Sequence, residues 1–435
     1  MTITAMTADI HRSIAAVWRI ESAKIIATIA RMVRDIGFAE ELAQDALVAA
    51  LERWPESGIP ENPGAWLMST AKHRAIDYLR REKLRARKQD ELGYTLELTQ
   101  EATAMDVEAL DHDIGDDLLR LIFTACHPVL STDARAALTL RLLGGLTTGE
   151  IARAFLAPEP TIAQRIVRAK RTLTEAHVPF EVPRGEDLGI RLASVLEVIY
   201  LVFNEGYSAT AGNDWMRPAL CEEALRLGRI LAELASQEPE VHGLVALMEI
   251  QASRLHARSG PAGEPVLLLD QNRARWDQLL IRRGLAALER AEAIGGALGP
   301  YCLQAAIAAC HTRAVTAGET DWVRIAALYD ALAQLSPSPV VELNRAVAVA
   351  MAFGPAAGLE LADALIGEPL LKNYHLLPAV RGDLLGKLGR HNEACAEFKR
   401  AAALTQNTRE RVLLLERARK CADETKFINK DWNST

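Results

Sequence analysis

Apolar residues return every three or four positions along nearly the whole chain, with Ala, Leu, Arg and Glu carrying most of the pattern. Such a period buries one stripe of an α-helix, so the chain should be all-α. At 435 residues it has room for roughly two to four domains. No window approaches the roughly twenty uninterrupted apolar residues of a membrane span. The opening MTITAMTADIHRS lacks the basic start and apolar run of a signal peptide, so a cytoplasmic protein without membrane contact is expected. Cys126, Cys221, Cys302, Cys310, Cys395 and Cys421 are scattered without a CxxC pair, which suits reduced, packed thiols. Neither metal nor cofactor is expected.

The net charge of -7 conceals a segregation along the chain. Lys72, Arg74, Arg80, Arg81, Lys83, Arg85, Arg87 and Lys88 face only Asp77 and Glu82, a basic helix end fit for phosphates. From 90 to 117 the sign reverses, with Asp and Glu throughout and no Lys or Arg. That block, about 89–112, reads as a solvated linker.

Three helical blocks follow from these joints. The first, 10–88, contains VWRIESAKIIATIARMV and AEELAQDALVAALERW, the second ending at Trp54-Pro55, and then a helix with Asn62 as N-cap and Pro63 in first position. That third helix should bury Leu67, Ala71, Ala75 and Tyr78 and present Lys72, His73, Asp77, Arg80 and Arg81, with Trp66 near its start. Aromatic and cationic groups on one element suit a single strand of nucleic acid. A core Trp on a charged helix gives the same pattern.

The second block, 113–178, ends in TTGEIARAFLAPEPTIAQRIVRAKRTL. Thr147 and Glu150 form a capping box with Leu146 and Ile151 placed as a staple, and Pro160 suits the first turn of a new helix. Ile162, Ile166, Ala169 and Leu173 make one buried stripe; Thr161, Gln164, Arg165, Arg168 and Arg171 line the other face. A helix-turn-helix places such a face in the DNA major groove, although an ordinary helical hairpin has the same spacing. Upstream, Ser131 should cap a helix that Gly144-Gly145 ends, and HVPFEVPRGED is a second joint.

The third block, 187–425, is helical throughout. Overlaying Gly354 on Gly389 gives a period close to the roughly 34-residue tetratricopeptide (TPR) hairpin, with Gly382, Leu385, Gly389, Ala394, Phe398 and Ala401 at the nesting positions, although two unrelated hairpins in a helical domain fit the same stretch.

The order of these parts resembles the extracytoplasmic-function (ECF) sigma factors of bacterial RNA polymerase. AEELAQDALVAALERW is similar to the region-two helix that docks on the beta-prime clamp helices. NPGAWLMSTAKHRAIDYLRRE resembles the promoter-melting helix, and LTTGEIARAFLAPEPTIAQRIVRAKRTL resembles region four. The remainder, headed by LEVIYLVFNEGYSAT, is similar to the TPR-like extension of one sigma subgroup, in which it acts in place of a membrane anti-sigma factor. The resemblance implies that Glu41, Gln44, Asp45 and Leu47 touch core polymerase, whose beta flap is a further partner. It assigns Trp66, Lys72, His73, Arg80 and Arg81 to the minus-ten region of promoter DNA. Thr161, Gln164, Arg165 and Arg168 fall to the minus-thirty-five groove, and Arg171 to phosphate. The implied function is promoter recognition and melting, under control of the C-terminal region through a protein or small-ligand partner. One departure stands out, beside one local cost. His73 occupies a position where the family commonly has Asn, and Gly149 costs its helix roughly 1 kcal/mol against Ala.

Two rival functions have their own features. An enzyme would draw on Asn204-Glu205-Gly206-Tyr207, His242, His256, Asp270, Cys310-His311 and Asp321-Trp322, which form no spacing that catalysis requires. Catalysis is therefore not expected. A conventional helix-turn-helix regulator with a C-terminal sensing region would use only 147–173 and leaves the first block without a role.

Overall fold

In the computed structural model, residues 3–90, 114–155, 157–209, 211–261, 263–296 and 298–432 are described. They form two units, 1–199 and 200–435. The acidic stretch expected as a linker lies almost wholly outside the described residues.

The first unit begins with α1 (Ile3–Val33), α2 (Ile36–Ser57) and α3 (Pro63–Asp90). Asp35 starts α2 by accepting from Phe38 N at 2.8 Å, and Asn62 starts α3 by accepting from Ala65 N at 3.0 Å. Ile25, Ile26 and Ile29 of α1, Ala39, Ala43 and Trp54 of α2, and Leu67, Ala71 and Ala75 of α3 are all buried. Two details differ from expectation. Helix α2 continues through Pro55 to Ser57, because a proline in the last turn forfeits one hydrogen bond without stopping the few residues that remain. Tyr78 stays 36 % exposed and rests its ring on Phe38, centroids 4.2 Å apart, at the rim of the core.

Next come α4 (Ile114–Ala125), α5 (Thr132–Leu142), α6 (Thr148–Ala154) and α7 (Glu159–Glu175). Ser131 caps α5 as its sequence indicates. Helix α4 packs on α1, where fully buried Asp117 meets Arg31 at 3.3 Å and Arg120 at 2.6 Å. Helix α8 (Glu186–Tyr207) gives its first half to this unit. Leu192, Val195 and Leu196 are buried, Ser194 Oγ donates to Cys126 O at 2.6 Å, and Arg191 donates to Phe123 O at 2.9 Å. The proline-bearing joint therefore does not end the first unit, since buried residues and carbonyl bonds carry its packing to 199.

The second unit runs through α9 (Pro218–Leu234), α10 (Pro239–Ala252), α11 (Gln278–Ala293), α12 (Pro300–Arg313), α13 (Trp322–Leu335), α14 (Pro339–Phe353), α15 (Pro355–Ala364), α16 (Leu376–Lys387), α17 (His391–Leu404) and α18 (Thr408–Trp432). Five of these start on proline, which lacks the N–H that a first turn leaves unbonded. Gly354 separates α14 from α15 at φ 102, and Gly389 lies between α16 and α17 at φ 76. Both overlaid glycines thus take a positive φ between the two helices of a hairpin. Leu385, Ala394, Phe398 and Ala401 share one buried cluster, and Gly382 lets the Phe398 ring approach where a Cβ would sit only 3.0 Å away.

NEGYSAT ends α8 but does not start the next helix. Beyond it Ala211–Gly212 pairs in parallel with Gln406–Asn407. Buried Asn407 donates to Ala209 O at 3.2 Å and Asp214 O at 3.1 Å, tying the first and last parts of this unit together. Among the described residues no helix is long and apolar enough to cross a membrane.

Every cysteine except Cys395, which is half-buried, is buried. Burial pushes the Cys126 thiol up to about 11 and Cys221 to about 12. Since the thiolate is the reactive form, a thiol reagent should label native protein at Cys395 alone and reach the rest only on unfolding. Rapid native labelling of Cys126 or Cys221 would contradict this packing.

Candidate nucleic-acid interface

The hairpin of α6 and α7 is built as its sequence dictates. Thr147 Oγ1 accepts from Glu150 N at 3.2 Å while Glu150 Oε2 accepts from Thr147 N at 2.8 Å, closing the capping box. Ile162, Ile166, Ala169 and Leu173 are all at most 5 % exposed. On the opposite face Thr161, Gln164, Arg168 and Arg171 are exposed and Arg165 is half-buried. The cations on this helix have different occupations. Arg165 pairs with Asp133 at 3.2 Å, Arg171 with Glu175 at 2.7 Å, and Lys170 turns inward to Glu40. Gln164 and Arg168 have no side-chain partner among the described residues, so they meet solvent unencumbered.

On α3, His73, Arg80 and Arg81 are exposed, and Trp66 is half-buried with its ring edge-on to Trp54 at 5.3 Å. Trp66 is thus partly committed to the core. Lys72 departs from the expected outward face: it is only 7 % exposed, because its position beside Ala71 and one turn before Ala75 falls within the buried arc. Arg74 bonds Asp45 at 2.7 Å, linking α3 to α2.

The outer face of α2 shows Glu41 and Asp45 exposed and Leu47 half-buried. Its inner face carries Glu40, 3 % exposed. That carboxylate collects Gln44 Nε2 at 2.5 Å, Arg141 Nε of α5 at 2.6 Å, and Lys170 of α7. Gln44 is therefore folded back onto Glu40. Arg19 of α1 adds a contact to Glu150 of α6 at 2.9 Å.

Helices α1 to α3 match the sigma-70 region 2 family over residues 21–85, and α4 to α7 match sigma-70 region 4 over residues 120–173. The chain belongs to the ECF sigma-70 family. Residues 191–292 match a family of unknown function, DUF6596. An uncharacterised protein of Rhizobium meliloti (strain 1021) is 44 % identical over 384 residues, covering 87 % of this chain and 89 % of that protein. The ECF RNA polymerase sigma factor SigK of Mycobacterium ulcerans (strain Agy99) is 29 % identical over 154 residues, covering 34 % of this chain and 78 % of its own. The probable ECF RNA polymerase sigma factor SigI of Mycobacterium tuberculosis (strain H37Rv) is 26 % identical over 168 residues, covering 39 % and 57 %. No solved structure matches.

The structure of this sigma factor adds residues that sequence reading did not single out. Val48 and Leu51, 49 % and 38 % exposed, continue the outer face of α2 beyond Asp45. Their exposure follows from the same helical period and was legible in principle. Glu40 was not legible, because its partners lie about a hundred residues downstream. The groups that an enzyme would use are dispersed: Glu205 pairs with Arg217, His242 bonds Ser236 O at 3.0 Å, and His311 packs edge-on to Trp322.

Proposed function

We propose that this sigma factor docks on the beta-prime clamp helices through the outer face of α2, with Glu41, Gln44, Asp45 and Leu47 joined by Val48 and Leu51. Helix α3 engages the minus-ten region through Trp66, His73, Arg80 and Arg81, while buried Lys72 steadies that helix. Helix α7 enters the minus-thirty-five groove with Thr161, Gln164, Arg165 and Arg168, and Arg171 holds phosphate. Core polymerase, its beta flap and promoter DNA are the partners. The second unit controls activity through a protein or a small ligand.

One observation carries this reading: the two sigma-70 regions occur in order, and each ends in a helix with an exposed cationic face. A sigma factor works by binding energy alone. Phosphate contacts release counterions, and stacking favours unpaired bases, so melting is differential binding.

Quantitative binding of holoenzyme to promoter fragments tests the division of labour on α7. Arg168→Ala should cost about 1 to 3 kcal/mol at one base pair and relax the preference there. Arg165→Ala should do the same at a neighbouring pair, and Arg171→Ala should weaken every sequence alike and lower the salt slope by about 1. Equal, sequence-independent losses from all three would overturn it. Tight operator binding without core polymerase would instead favour a conventional regulator.

A further inference from the structure

The second unit buries two guanidiniums that no carboxylate pairs with among the described residues. Arg254 and Arg258 are 6 % and 7 % exposed. The Arg258 guanidinium lies 3.5 Å from the Tyr207 ring centroid and 4.4 Å from that of Trp215. Tyr207 also faces Arg254 at 6.0 Å, and Trp276 faces both Arg254 at 5.9 Å and Arg273 at 5.0 Å. The shared rings link three guanidiniums, two of them buried and that of Arg273 half-buried.

Among the described residues no carboxylate pairs with any of the three. Arg273 is held by the carbonyls of His311 and Ala314, each at 2.6 Å, and by Thr320 Oγ1 at 3.1 Å. Arg254 has one acceptor, Gln251 Oε1 at 3.0 Å. Arg254 Nε, Arg258 Nη1 and Trp276 Nε1 are buried donors without an acceptor. The carboxylates that act on the cluster through space are occupied elsewhere: Glu410 takes bonds from His375 and Thr405, and Glu319 caps Thr316 N. Burial lowers the pKa of Arg258 and Arg273, and burial together with Arg254 and Arg273 holds His311 down to about 4. Ring faces offset part of the cost of burying a guanidinium, but a missing counter-charge is costly and a missing acceptor adds to it.

We propose that Arg254, Arg258 and Trp276 form a buried site for a phosphate dianion, free or carried by a small phosphomonoester, within the second unit. The guanidinium forks match phosphate oxygens, and a dianion supplies the absent charge. This deepens the control role given above to that unit. Its test reads binding without polymerase, so each reading can fail while the other stands.

Calorimetric titration of the full chain at constant ionic strength uses inorganic phosphate and phenyl phosphate, with chloride as control. At least one phosphate should bind once per chain where chloride gives no heat. Tighter binding of phenyl phosphate marks a phosphomonoester site, and tighter binding of inorganic phosphate marks a site for the free ion. Arg254→Met and Arg258→Met should each weaken binding about tenfold or more, while exposed Arg400→Ala leaves it unchanged. If Arg254→Met does not fold, Arg254→Lys, which keeps the charge and loses the fork, takes its place. No binding of either anion at millimolar concentration, or binding that survives both arginine changes, overturns the proposal.

Discussion

Glu40→Ala should destabilise the first unit by about 2 to 4 kcal/mol, with Glu40→Gln losing about half as much. The carboxylate is buried and gathers Arg141 from α5, Lys170 from α7 and Gln44 from its own helix. Deleting it leaves two cations facing one another without their shared anion. Their side chains remain 23 % and 22 % exposed, so solvent relieves part of the penalty and the loss stays below that for fully buried ions. Denaturant unfolding of the full chain, followed through the tryptophans of the first unit, measures the loss. A change within about 0.5 kcal/mol of zero, the range of ordinary surface substitutions, would show that Glu40 does not tie region 2 to region 4.

Asp45→Arg should leave folding nearly unchanged and weaken core polymerase binding by about 2 to 3 kcal/mol, roughly thirty- to 150-fold. Its ion pair with Arg74 is solvent-exposed on both sides, 41 % and 56 %, and such pairs contribute about 0 to 1 kcal/mol to stability. The new guanidinium would stand on the proposed docking face, one turn from both Glu41 and Val48. Parallel affinity and unfolding measurements separate the two effects. Unaltered affinity would remove α2 from the polymerase interface, whereas a large stability loss would make Asp45 a structural residue.

Much of this architecture is written in local pattern. The stripe of Ile162, Ile166, Ala169 and Leu173, the Thr147–Glu150 box, the Asn62 cap and the turns at Gly354 and Gly389 each depend on residues within a turn or two, which a helical period exposes directly. What the pattern did not reveal depends on distant partners. Lys72 lies at the edge of two helical faces, and only packing decides which way it turns. Arg165 reads as a free DNA-facing charge until Asp133 is placed beside it, and the inward turn of Lys170 needs Glu40 in place. The first unit's claim on α8 rests on Ser194 and Arg191 reaching the carbonyls of Cys126 and Phe123. The guanidinium cluster is equally non-local, since Tyr207, Arg254 and Trp276 come from separate segments.

Run-off transcription shows whether this chain directs initiation. Purified core polymerase is combined with the full chain, or with the chain ended after Ile199 where the first unit closes, on the promoter of its own operon. A discrete transcript that core alone does not produce is the expected result. Comparison of the two chains then gives the sign of control by the second. No transcript from either chain, together with no binding to core, would contradict a role in initiation.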